Sequence, residues 1–239
     1  MKKIIFIILI SLSLNATEYF ATIEPYEKHT IISEVDGRVV FVDKIKEYSF
    51  INQNETILKL DIKDESIVLN TLKNSLLLQK DIVKIKESNY KNKSKVRQLS
   101  LYDKNQEKLY LIEAKQTLEN MKRDIKNEQN KISKKVFSIN DKYLGEVYVS
   151  TDEYVTSGTK LYTLYDFSKF KLEVFIRNQD INTIKDKAIF IDDKKTDFVI
   201  EKISHVRDEK RVSTYKVILS KANSEANIYF GKVVKVEFR

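Results

Sequence analysis

The sequence predicts an α+β fold: a long helical hairpin interrupts one β domain, and a small β-barrel follows it. Three observations predict this. Apolar residues recur every seven positions through the middle of the chain, and short β-type runs flank that stretch on both sides. The 239 residues hold only four glycines and one proline, so nothing between Gly37 and Gly145 is a strong helix breaker.

The first element is not part of the fold. Lys2 and Lys3 form a positive start, residues 4–14 are an apolar stretch interrupted only by Ser11 and Ser13, and Asn15 and Ala16 supply a small-residue exit. This predicts a secretory signal peptide at 1–16, cleaved near Ala16. This 11-residue stretch falls short of the roughly 20 that span a bilayer, and no later run reaches that length. Residues 17–30 read as an N-terminal segment. The absence of cysteine excludes a disulfide framework, a thiolate metal site and an acylated N-terminal cysteine. The 43 Lys and Arg are interleaved with 35 Asp and Glu, and an exported chain has little access to nucleic acid, so no nucleic-acid partner is expected. The residual basic balance leaves a contact with an anionic membrane surface or an acidic partner open.

Residues 31–61 read as β structure. Val39, Val40, Phe41 and Val42 form one run and residues 56–60 another, with Gly37 at the start and Asn52, Gln53 and Asn54 at a turn. Residues 62–135 change character. Leu111, Leu118, Ile125 and Ile132 recur every seven positions, with Ala114 and Met121 three residues after the first two. Ile62, Leu69, Leu76, Val83 and Tyr90 repeat that spacing upstream, and Leu72 fills the intervening position. Each set is the a/d seam of a coiled coil on an otherwise polar helix. Neither helix buries its stripe alone, so the two are expected to bury them against each other as an antiparallel hairpin. Its tip is expected at 96–104 and its arms near 50 Å at 1.5 Å per residue. Leu76 should then meet Leu118 or Met121, and Val83 should meet Leu111 or Ala114. Leu69 and Ile125 extend the same seam. One continuous helix would run about 110 Å with its stripe exposed.

Beyond residue 136 the β pattern returns. Runs at 145–149, 154–155 and 160–165, with a turn at Gly158, complete the β domain through residue 168. Further runs at 172–176, 188–191, 198–200, 214–219 and 232–238 suggest a small barrel over 169–239, with a short helix at 179–185.

Candidate chemistry is sparse. His29 and His205 are the only histidines and accompany no nucleophile motif, and the scattered glycines form no phosphate loop. Once the signal is removed Met121 is the only methionine, and one soft ligand does not hold a thiophilic ion. Met121 reads as seam packing. No enzyme activity, cofactor or metal is expected.

The segments flanking the hairpin resemble each other. Val35, Gly37 and Val39 lead to Ile57, Leu58, Leu60 and Asp61; Leu144, Gly145 and Val147 lead through Val155 and Gly158 to Leu161, Leu164 and Asp166. This resembles the split lipoyl-like domain of the HlyD-type membrane fusion protein family, whose halves enclose a helical hairpin. Residues 170–185, Asp208 to Thr214, and the closing stretch around Gly231, Val233 and Val236 resemble that family's barrel. The likeness runs in order over residues 31–239. It departs at Asp141 and Lys142, where relatives carry Ala-Pro, at the missing first-half turn glycine, and near Asp186 and Lys187. With the barrel-like stretch running up to Arg239, the C-terminal half of a membrane-proximal domain that many relatives carry is not expected.

The resemblance implies a periplasmic adaptor that sheathes a conduit between an inner-membrane transporter and an outer-membrane channel and self-associates into a ring. It also implies a docking motif at the hairpin tip, which Arg97 and Leu101 match; the motif's serine falls on Lys108. A carrier lysine is not expected, because the hairpin occupies its place. The alternatives are an adaptor for type I protein secretion, or a soluble periplasmic solute- or metal-binding protein.

Overall fold

The computed structural model describes residues 18–223 and 229–239. The signal at 1–16 lies outside them. In chain order the elements are β1 (Glu18–Ile32), β2 (Gly37–Val42), β3 (Ser49–Ile51), β4 (Glu55–Leu60), α1 (Lys63–Ser94), α2 (Leu101–Ser133), β5 (Val136–Ile139), β6 (Lys142–Val147), β7 (Tyr154–Val155), β8 (Lys160–Arg177), β9 (Ile189–Ile191), β10 (Lys194–Lys195), β11 (Val199–Arg207), β12 (Thr214–Ala222) and β13 (Val233–Phe238). They fall into two compact units. One spans Thr30–Thr163; the other combines the described residues up to 29 with Leu164–Arg239.

The Thr30–Thr163 unit holds both helices. α1 starts where the Asp61 carboxylate accepts the Lys63 backbone N–H, with Asp64 and Glu65 in the first turn complementing the helix dipole. α2 starts at Ser100, whose hydroxyl accepts the Asp103 N–H at 3.1 Å and donates to the Asp103 carboxylate at 2.6 Å. The helices pair as a two-helix hairpin and return the chain to its origin: the Leu60 N–H donates to the Lys135 carbonyl at 2.9 Å. Strands from before and after the hairpin then interleave in one sheet, ordered β5-β4-β2-β7, while β3 pairs with β6. Leu58, Leu60, Leu144, Val155 and Leu161 are fully buried in this unit. Gly37 is favoured by close approach, since a Cβ there would lie 3.2 Å from that of Leu60.

In the other unit the strand order is β10-β9-β13-β1-β8-β12-β11. Alternate residues point inward, namely Tyr19 and Ala21 of β1, Leu172, Val174 and Ile176 of β8, Val217 and Leu219 of β12, and Val234, Val236 and Phe238 of β13. Glu237, also buried, accepts from Lys235 at 2.8 Å and is paired with Arg239 as well.

Three expectations about local structure need correction. Residues 18–22, read as part of a separate N-terminal segment, pair with β13 and contribute to its core. The runs at 160–165 and 172–176 belong to one continuous strand, β8. Residues 179–185 form successive turns rather than a helix. There Asp180 is held by the Tyr19 hydroxyl at 2.7 Å and by Arg177 at 3.0 Å, and the Thr183 hydroxyl bonds the Asp180 carbonyl. Such local side-chain bonds compete with helix formation in a segment too short to nucleate well.

Candidate docking site at the hairpin tip

The seam that sets the tip is narrow. Val83, Leu111 and Ala114 are buried in one cluster, and Tyr90 and Leu118 pack against it. Leu69, Leu76, Leu72, Met121 and Ile125 are half-buried along the same stripe. Polar residues occupy several seam positions, and each has a partner. Gln79 donates its side-chain amide to the Ala114 carbonyl of the opposite helix at 2.8 Å. Lys86 lays its ammonium 4.7 Å from the Tyr110 ring centroid. Glu128, buried, accepts from Lys131 at 2.9 Å. At the base, Lys135 binds Glu65 and donates to the Asp61 carbonyl at 3.0 Å. That ammonium holds the Glu65 carboxyl below the ordinary glutamate range.

The helices end closer to the tip than the sequence suggests, because the connection is only 95–100 and residues 101–104 already belong to α2. No glycine makes this turn. The chain leaves α1 through the Lys95 and Val96 N–H groups, bonded to the Asn92 and Lys93 carbonyls, and re-enters helix at the Ser100 cap. The Ser100-x-x-Asp103 spacing was a helix-start signal that would have placed the boundary correctly. Below the turn, Lys93 pairs with Glu107 at 2.5 Å across the two helices.

Arg97 lies exposed in the connection, and Leu101 is the first residue of α2. Leu101 and Tyr102 are each 75% exposed. Lys108, at the expected serine position, is also exposed. Residues 91–108 carry six cations against two anions. Glu107 is engaged by Lys93, and Asp103 by the Ser100 cap. The tip therefore combines an excess of cations with exposed apolar side chains, a composition suited to an apolar groove edged with carboxylates.

The other polar features are dispersed. His29 pairs with Glu27 at 2.8 Å on its own strand, and His205 is exposed on β11. Among the described residues no group of three His, Cys, Asp or Glu side chains is placed to hold a metal ion, and no helix is long and apolar enough to cross a membrane. A concavity of about 520 Å³ beside the β11–β12 connection has Arg207, Lys210, Arg211 and Lys216 in its lining together with Asp208 and Glu209. The Arg211 guanidinium sits 3.9 Å from the Phe175 ring centroid there.

No family model and no curated protein matches the sequence. Solved structures do match the fold. The membrane fusion protein Spr0693 from Streptococcus pneumoniae R6 superposes with a TM-score of 0.69 at 8% identity, over 93% of this chain and 98% of that one. A MacA-MexA chimeric protein containing the Pseudomonas aeruginosa MexA α-hairpin domain gives 0.66 at 15% identity, over 94% and 81%. MacA from Actinobacillus actinomycetemcomitans gives 0.59 at 17% identity, over 94% and 78%. At these identities the likeness is one of architecture: the chain has the fold of solved membrane fusion proteins.

Proposed function

We propose that this chain is a periplasmic adaptor of a tripartite efflux system, linking an inner-membrane transporter to an outer-membrane channel. The observation that carries the reading is the two-helix hairpin emerging from interleaved β segments and ending in an exposed, cationic and apolar tip. In this reading residues 31–61 and 136–168 are the two halves of a lipoyl-like domain. Residues 62–135 are the coiled-coil hairpin, and residues 169–239, completed by the strand at 18–22, are a small barrel. The chain is secreted through its N-terminal signal, acts in the periplasm beside the inner membrane and carries out no chemistry. The adaptors form a ring around the conduit, and their tips enter grooves of the channel. The groove near Arg211, where four cations outnumber Asp208 and Glu209, is the surface offered to an acidic partner or an anionic membrane face.

Arg97→Glu combined with Leu101→Asp tests the docking. Both side chains are exposed, so the melting temperature should stay within about 2 °C, as expected for surface changes within about 0.5 kcal/mol. The variant should fail to restore efflux in a strain lacking the gene, as scored by survival on a panel of toxic compounds. A photo-crosslinker at Leu101 should capture an outer-membrane channel, and one at exposed Ile45 should not. Full restoration of efflux by the double variant would overturn the tip assignment.

A further inference from the structure

The loop joining β11 to β12 is pinned by its own bonds. The Asp208 N–H donates to the Thr214 carbonyl at 3.0 Å, and the Asp208 carboxylate accepts the Lys210 and Arg211 N–H groups at 3.1 and 2.8 Å. The Thr214 hydroxyl closes onto the Arg211 carbonyl at 2.7 Å. Ser213 takes a φ of 68°, a left-handed conformation that strains a residue with a side chain, and its carbonyl accepts the Asn178 N–H at 3.1 Å.

What this scaffold positions is Arg211. Its guanidinium lies 3.9 Å from the Phe175 ring centroid, and a guanidinium held against a ring keeps its N–H edge for another partner. Among the described residues no carboxylate pairs with it. Asp208 is turned to the loop's own amides, and Glu173 is taken by Lys216 at 2.9 Å and Lys171 at 3.5 Å. The surrounding groove of about 520 Å³ falls in the size range of small-molecule sites. Its lining adds exposed Arg207 and Lys210, exposed Glu209, and the apolar surfaces of Phe175 and of Val206, which is 75% exposed.

We propose that this groove binds a single amphipathic oxyanion: a phosphate, sulfate or carboxylate head carried on an apolar body. The head pairs with the edge of Arg211, where a bidentate, charge-assisted contact is the strong form, and Arg207 and Lys210 add attraction. The body covers Phe175 and Val206. An inorganic anion leaves that apolar wall bare, and a cationic molecule leaves Arg211 unpaired, so both parts of the ligand are needed. This narrows the acidic partner of the proposed function to one class of small molecule. It rests on that reading only for the ligand's source, a membrane lipid or a free amphiphile.

Calorimetry on the purified chain tests the site, with dodecyl phosphate below its micelle concentration as the probe. It should bind on the order of tenfold more tightly than inorganic phosphate, and dodecyltrimethylammonium should give no heat of binding. Arg211→Lys keeps the charge but loses the planar fork, and should weaken binding on the order of tenfold. Its melting temperature should fall by no more than about 4 °C, as for one lost cation–π contact. Glu209→Gln removes a competing carboxylate and should tighten binding. Equal affinity for inorganic phosphate or for the cationic amphiphile would overturn the proposal, as would undiminished affinity in Arg211→Lys. Binding of both dodecyl phosphate and phosphatidylglycerol vesicles, each weakened by Arg211→Lys, supports the site with a lipid as its source. Binding of dodecyl phosphate without vesicles supports the site with a free amphiphile. Vesicle binding without dodecyl phosphate binding overturns the single-molecule site. Dodecyl phosphate binding by a chain whose deletion leaves efflux unchanged supports the site and sinks the adaptor reading. No binding, with efflux still dependent on the chain, overturns the site and leaves the adaptor reading standing.

Discussion

At the residue scale, burial sets the chemistry of single groups, and Tyr162 is the clearest case. It is buried against Phe137 in an edge-to-face contact with ring centroids 6.5 Å apart, and burial pushes its hydroxyl up to about 12. The folded state therefore holds this proton over a range where the unfolded chain, near 10, has lost it. Stability tied to Tyr162 is fully present below about pH 10 and is lost as pH rises through about 12, on the order of 2–3 kcal/mol in all. Tyr162→Phe should be nearly neutral at pH 7 and should flatten the alkaline decline in chemical denaturation. An equally steep decline in the variant would show that another group is responsible. The position of Tyr162 in a β run was legible in the sequence. Its burial was not, because the ring that covers it, Phe137, sits on a different strand 25 residues earlier.

At the scale of the element, the hairpin shows how polar residues at seam positions trade stability for register. Gln79 occupies a position where leucine would bury more apolar surface, yet its amide reaches the Ala114 carbonyl across the helix pair. Gln79→Leu should raise the melting temperature, because a buried leucine contributes about 1.5–3 kcal/mol against about 1 for the lost hydrogen bond. It should also loosen the register. Val83→Cys with Leu111→Cys should cross-link in one position in the parent chain. In the Gln79→Leu background, Val83→Cys should also cross-link with Leu118→Cys, one heptad away. A lower melting temperature would mean that the amide bond outweighs apolar burial. The seven-residue spacing made both helices visible in the sequence. The tip boundary was missed by a few residues because the Ser100 cap, a local signal, was weighed less than the seam.

At the scale of the whole molecule, the inserted hairpin begins and ends at neighbouring points, with Leu60 bonded to Lys135 and Lys59 level with Val136. A two-residue Gly-Ser turn in place of residues 63–133 should therefore leave a folded β protein. Its helical circular dichroism should vanish while a cooperative thermal transition remains. It should also lose efflux. A molten or aggregated product would show that the interleaved sheet depends on the helices for its stability.

The sequence by itself determined the elements whose pattern is local. A 3.5-residue period over two long stretches without glycine or proline specifies paired helices, and alternation around Gly37 and Gly158 specifies short strands. Tertiary structure decided what depends on distant partners. β1 was hidden by Pro25, which demotes a strand on local grounds, and by its partner β13, more than two hundred residues away. β8 read as two strands because its residues change core partway along, and 179–185 read as helix because the Tyr19 tether on Asp180 cannot be seen from one segment. Exposure of Leu78, Ile82, Ile85, Leu109 and Ile112 was likewise settled only once the first seam had claimed α2. Helical periodicity is written into neighbouring residues. A strand's partner, and the face a helix leaves free, are chosen by the rest of the chain.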